Sequence, residues 1–127
     1  MPLVRISLRE GKSADYRRAI GDAVHRAMVE TVNVPAADRF QVVNEYSQDD
    51  LIYDPSYLNI DRSDDVVFVQ VTLNSGRTIE QKKALYARIA ELLTENPGLR
   101  PQDVLINLVE VSRENWSFGN GEAQYAS

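Results

Sequence analysis

The sequence predicts a two-layer α+β fold, a four-stranded mixed sheet carrying two helices on one face. Three observations predict it. Laying Pro2–Ser47 over Val67–Ser112 without a gap superimposes Leu8/Leu73, Gly11/Gly76, Lys12/Arg77, Ser13/Thr78, Asp38/Asp103 and Glu45/Glu110, an internal duplication. Each copy opens with a period-two apolar run and continues with an apolar stripe at helical spacing. A strand–helix–strand unit makes its two strands parallel with a right-handed crossover, so two units related by a pseudo-twofold axis build the sheet.

The elements follow in order. Val4, Ile6 and Leu8 alternate with Arg5 and Ser7 in the first strand, and Val67, Val69, Val71 and Leu73 repeat the pattern in the third. Ser13 and Thr78 are N-cap candidates, followed by Asp15 and Glu80 in the first helical turn, where a negative charge suits the helix dipole. Tyr16, Ile20, Val24, Ala27, Met28 and Thr31 share one face of the first helix; Leu85, Ile89, Leu92 and Leu93 share one face of the second. The first helix should end near Asn33, before Val34-Pro35, and the second before Asn96-Pro97-Gly98. The remaining strands then run over Phe40–Tyr46 and Val104–Val111.

At 127 residues the chain fits one domain, 1–127, with a core that needs no staples. There is no cysteine, hence no disulfide framework and no thiolate nucleophile. A net charge of −5 argues against nucleic-acid binding, which rests on clustered Lys and Arg, yet leaves room for a small anionic substrate. No apolar run reaches membrane-spanning length and no signal-peptide core opens the chain, so a soluble cytoplasmic protein is expected.

Two helices on one face leave the other uncovered. That face is expected to carry Leu3, Val43, Phe68, Ile106 and Leu108, a poor surface to leave in water, and self-association is its expected cover. The connector Gln48–Asp65 is acidic but matches no calcium loop, and it reads as a solvated loop with a short strand near Tyr57–Ile60. His25, the only histidine, reads as a residue on the flank of the first helix, and no metal set exists without a second soft ligand.

The predicted topology gathers chemistry at one rim. Pro2 lies at the start of the first strand and Asp38 just before the parallel second strand. The pseudo-twofold brings the far ends of the other two strands there, with Gly76-Arg77 after one and Trp116-Ser117-Phe118 after the other. A small second residue normally permits removal of Met1, which would make Pro2 a secondary amine. Amine, carboxylate, guanidinium and two aromatics then converge. The repeat-related rim holds Lys12 and Asp103 opposite Val67, where no free amine can exist, and is expected to be silent.

Pro2 after Met1, the duplicated unit, Asp38-Arg39-Phe40, Gly76-Arg77-Thr78-Ile79-Glu80 and Asn115-Trp116-Ser117-Phe118-Gly119 together resemble the tautomerase superfamily, and within it the malonate semialdehyde decarboxylase family. The resemblance runs from Pro2 to about Tyr125 and implies a cofactor-independent homotrimer. Pro2, Asp38 and Arg77 match its catalytic positions, while Trp116 and Phe118 match its aromatic pocket positions. Ser75 stands where better-known decarboxylases of the group carry a second arginine, and Val29 where the related dehalogenases carry a histidine.

The resemblance implies decarboxylation of malonate semialdehyde or a similar short 3-oxo acid. Arg77 would hold the carboxylate beside Ser75, a cationic Pro2 would polarise the carbonyl or form an iminium, and Trp116 and Phe118 would exclude water. An α-amine titrates at about 8 when unperturbed, and a nearby Asp38 would raise that value. A keto–enol tautomerase or a hydratase of an unsaturated acid is the alternative reading, and a non-catalytic trimeric binding protein a third.

Overall fold

The computed structural model describes residues 2–126. Its strands and helices run β1 (Leu3–Arg9), α1 (Ala14–Thr31), β2 (Phe40–Tyr46), β3 (Val67–Asn74), α2 (Ile79–Glu95) and β4 (Val104–Val111). The sheet order is β2-β1-β3-β4. β1 and β2 are parallel, β3 and β4 are parallel, and the two halves meet antiparallel through β1 and β3, so the expected pseudo-twofold runs between the central strands.

The repeat extends to its fastenings. Gly11 and Gly76 both take positive φ, 114° and 124°, at the turn that aims each helix back across the sheet, a conformation glycine alone adopts cheaply. The Ser13 hydroxyl accepts the Tyr16 N–H at 3.1 Å. Thr78 and Gln81 form a reciprocal capping box, worth about 1 kcal/mol in helix stability. Arg17 pairs with Glu45 and, at the repeat-related positions, Lys82 pairs with Glu110, each joining a helix to the edge strand that follows it.

Val4, Ile6 and Leu8 of β1 and Val67, Val69, Val71 and Leu73 of β3 are buried against Ile20, Val24, Ala27 and Met28 of α1 and Leu85, Ile89 and Leu93 of α2. Each of these Val, Leu, Ile and Met side chains contributes about 1.5–3 kcal/mol relative to exposure. Gly21 of α1 receives the Gln41 side chain of β2. A Cβ there would meet Gln41 Oε1 at 2.7 Å, and the Gln41 amide donates to the Gly21 carbonyl at 2.9 Å.

Two expectations need correction. Val43, Ile106 and Leu108 lie on the helix side, packed against the core, because Val43 is paired with Ile6, Ile106 with Val69 and Leu108 with Val71. Pleat parity therefore turns their neighbours outward. The uncovered face carries Leu3 and Phe68 as expected, together with Phe40, Val42, Tyr46, Leu105 and Val109, which are 36–50% exposed. The second correction concerns Tyr57–Ile60. Residues Tyr57–Asn59 form a single 3₁₀ turn, with Leu58 and Asn59 at φ 61° and 58°, which no strand accommodates. Among the described residues no helix is long and apolar enough to cross a membrane.

Candidate active site

The register assembles the rim. Leu3 is paired with Phe40 on one side and Thr72 on the other, and Asn74 is paired with Val111. The start of β1, the start of β2 and the ends of β3 and β4 thus share one edge of the sheet, bringing Pro2, Asp38, Ser75, Arg77 and the C-terminal tail together. Pro2 is buried there. The expected removal of Met1 falls on a residue outside those described.

Asp38 closes the turn after α1, its N–H donating to the Pro35 carbonyl at 3.0 Å, and its side chain is half-buried. His25 braces the same turn from α1, with Nε2 at 2.9 Å from the Ala36 carbonyl. Nε2 must then be the protonated nitrogen. His25 is thus the half-buried flank residue expected, with the added task of holding the loop that presents Asp38.

Arg77 is more embedded than a helix-start surface residue. Its Nε and Nη2 donate to the Val32 carbonyl at 3.3 and 3.0 Å, and Nη1 donates to the Asn74 carbonyl at 3.2 Å. Val32 is the C-cap of α1, where a cation suits the negative end of the helix dipole. Three of the five guanidinium N–H donors are oriented by backbone, and the remaining two can meet a carboxylate. Ser75 is exposed beside it, its N–H donating to the Val111 carbonyl at 3.0 Å.

The tail closes the rim. Trp116 Nε1 donates to Asn74 Oδ1 at 2.7 Å, Trp116 stacks on Phe118 at 5.3 Å between centroids, and Phe118 lies 5.9 Å from Phe40. Asn74 ends β3 and Phe40 begins β2, the two strands that flank β1. The aromatic pair therefore links the ends of the two strands that flank β1. Tyr125 adds an edge-on contact to Phe118 at 5.0 Å. Asn74 and Tyr125 were not legible as site residues, since their partners lie far off in sequence or in a tail without periodicity.

Glu110, at the same end of β4, is held below the ordinary carboxylate range. The Lys82 hydrogen bond is the chief cause, desolvation opposes it, and the Gly76 N–H and Arg77 charge add to it.

A cleft of about 480 Å³ opens at the opposite rim. Its cations are already paired, Lys12 with Asp65 and Arg9 with Asp64, both at 2.8 Å. Asp103 is buried beneath it, accepting the Ser63 N–H at 2.6 Å and its hydroxyl at 2.7 Å. Size does not favour this cleft over the Pro2 rim, because its charges are matched internally and Val67 lies within the chain.

Comparison with known proteins adds a family. Models of the tautomerase enzymes match residues 38–119 and residues 2–59. The chain is 44% identical over 124 residues to the probable tautomerase YusQ of Bacillus subtilis (strain 168), covering 98% of each. It is similar to the crystal structure of FG41 malonate semialdehyde decarboxylase inhibited by 3-bromopropiolate, at 43% identity and a TM-score of 0.91, covering 97% of this chain and 93% of that one. A fused 4-OT solved as a symmetric trimer shares the fold at 24% identity and a TM-score of 0.79, covering 98% of each chain.

Proposed function

The chain belongs to the tautomerase superfamily, and within it we propose a cofactor-independent decarboxylase of malonate semialdehyde or a similar short 3-oxo acid, with Pro2 as the terminal amine once Met1 is removed. The observation that carries this reading is an oriented cation and an aromatic pair at one edge of the sheet. Arg77 is fixed by the carbonyls of Val32 and Asn74, and Trp116 and Phe118 link the ends of the two strands that flank β1.

In this reading Arg77 takes the substrate carboxylate with its two remaining donors and sets the breaking C–C bond across the carbonyl plane. Protonated Pro2 donates to the 3-oxo oxygen. As CO₂ departs, the C–C bonding pair passes into the enolate, whose charge the ammonium stabilises. Protonation at carbon then gives the aldehyde. Water excluded by Trp116 and Phe118 cannot solvate the carboxylate, which favours its loss. Asp38 keeps the amine cationic near neutral pH. The exposed apolar residues of the uncovered sheet face are proposed to be buried in a homotrimer, and sedimentation at micromolar concentration should give three times the chain mass; a monomer would remove that cover.

The test is a substrate panel. Malonate semialdehyde should be turned over with release of one CO₂ per aldehyde, at a kcat/KM about 100-fold or more above that for ketonisation of enols such as 2-hydroxymuconate or phenylenolpyruvate. The reverse ranking selects the tautomerase reading, which the name of the Bacillus subtilis relative and the missing guanidinium at Ser75 favour.

A further inference from the structure

Asn74 and Asp103 are the buried polar side chains among the described residues, 6% and 1% exposed, and each lies at one rim of the sheet. Asp103 fastens the connector through Ser63. Asn74 has a different set of partners. Its side-chain oxygen receives the Trp116 indole at 2.7 Å and its backbone oxygen receives Arg77 Nη1 at 3.2 Å. The ladder holds the backbone on both sides, with Asn74 paired to Val111 and the Ser75 N–H on the Val111 carbonyl.

We propose that Asn74 is a positioning residue that sets the spacing between Arg77 and the Trp116–Phe118 wall, the two groups between which the substrate of the proposed reaction would lie. This rests on the proposed function for what the spacing serves, and on geometry alone for the spacing itself. A half-buried indole N–H usually finds an acceptor, and here the acceptor is 42 residues away on a strand end. Phe118 touches Trp116, Phe40 and Tyr125, so the bond from Asn74 to Trp116 ties the cluster to the end of β3.

The repeat supports the assignment independently. The position matching Asn74 in the first half is Arg9, which sends Nε and Nη2 to the Leu51 carbonyl at 3.4 and 3.1 Å. Both residues end a central strand, and both fasten the segment that follows the neighbouring edge strand. In the first half that segment is the connector; in the second it is the tail carrying Trp116.

Trp116 is the only tryptophan in the sequence, so its emission reports the anchor directly. Asn74→Ala should shift that emission to the red, raise its quenching by acrylamide and lower kcat/KM about 10–100-fold while cooperative unfolding persists. Asn74→Asp, which keeps an acceptor, should restore the emission. In a Trp116→Phe background, Asn74→Ala should cost less than it does in the wild type, because part of its loss passes through the bond the two residues share. Should Asn74→Ala not fold, Trp116→Phe alone carries the test: it keeps the ring stack, deletes the donor, and should lower kcat/KM about 10-fold. Unaltered emission in Asn74→Ala, fully additive losses, or a fully active Trp116→Phe would overturn the proposal. If the wild-type protein does not decarboxylate 3-oxo acids, the reaction assignment fails while the emission arm still decides the role of Asn74.

Discussion

At one edge of the sheet Lys12, Arg9 and Asp103 are met by the connector after β2; at the other lie their counterparts Arg77, Asn74 and Asp38, where the tail after β4 is fastened to Asn74. The strands, turns and helix caps beneath them are nearly superimposable in kind. The segments laid on top differ. The connector brings Asp64, Asp65 and Ser63, which pair with Arg9, Lys12 and Asp103 and leave a polar cleft with matched charges. The tail brings Trp116, Phe118 and Tyr125, a half-buried aromatic cluster that carries no charge. A duplicated fold thus supplies two equivalent positions for a charged site, and the covering segment sets whether the cation there meets carboxylates, as Lys12 and Arg9 do, or backbone carbonyls, as Arg77 does.

Substituting both members of a repeat-related pair breaks this comparison most sharply. Arg77→Ala should lower kcat/KM on 3-oxo acids by about 100-fold or more, through loss of a charge-assisted bidentate contact. It should also cost about 1–2 kcal/mol of stability, since the Val32 and Asn74 carbonyls lose their donors. Lys12→Ala, which removes an exposed pair with Asp65, should leave activity within about 2-fold. Steady-state kinetics on the two variants decide it, and equal losses would erase the distinction between the rims.

The aspartates should separate in the opposite sense. Asp103→Ala leaves the Ser63 N–H and hydroxyl without their buried acceptor and should cost about 1–3 kcal/mol in urea unfolding with little change in kcat. Asp38→Asn should lower the rate about 10-fold and move the alkaline limb of the rate profile to lower pH, because the charge that favours cationic Pro2 is gone. A shift in stability without a shift in the profile would reassign Asp38 to the turn it closes.

The smallest effect tests the fastening that the rims share. Glu110 is held below the ordinary carboxylate range by Lys82, so its contribution to stability is present above the unfolded-state carboxylate pKa and is lost as pH falls through its lower folded value. Glu110→Gln should therefore lower Tm slightly at neutral pH, with the difference from wild type closing below about pH 4 and at high salt. Tm measured across pH in both proteins checks the sign.

Much of this architecture is legible in the sequence because separate signals agree. The β2 and β4 spans follow from the breakers Pro35 and Pro97-Gly98, and the cap residues Ser13 and Thr78 locate both helix starts. Facing in β2 and β4 is not legible, because Val42-Val43, Leu105-Ile106 and Leu108-Val109 set apolar residues on both faces. Only pairing with Ile6, Val69 and Val71 decides which side is core. Tyr57, Leu58 and Ile60 have strand-like side chains, yet Pro55-Ser56 before them and left-handed Leu58 and Asn59 make a turn. That Pro2, Asp38 and Arg77 share one edge of the sheet is legible through topology. The bond of Asn74 to Trp116 is not, since the tail that it reaches is 42 residues away.

The account stands on the charge of one amine. Its most direct test is an NMR titration of ¹⁵N-labelled Pro2 in the processed protein, read against the pH dependence of kcat/KM on malonate semialdehyde. Titration of the Pro2 nitrogen at or above about pH 8, with activity falling as the amine loses its proton, is the predicted result. Titration well below pH 7, with activity rising as the amine becomes neutral, would contradict it and make Pro2 a general base of a tautomerase.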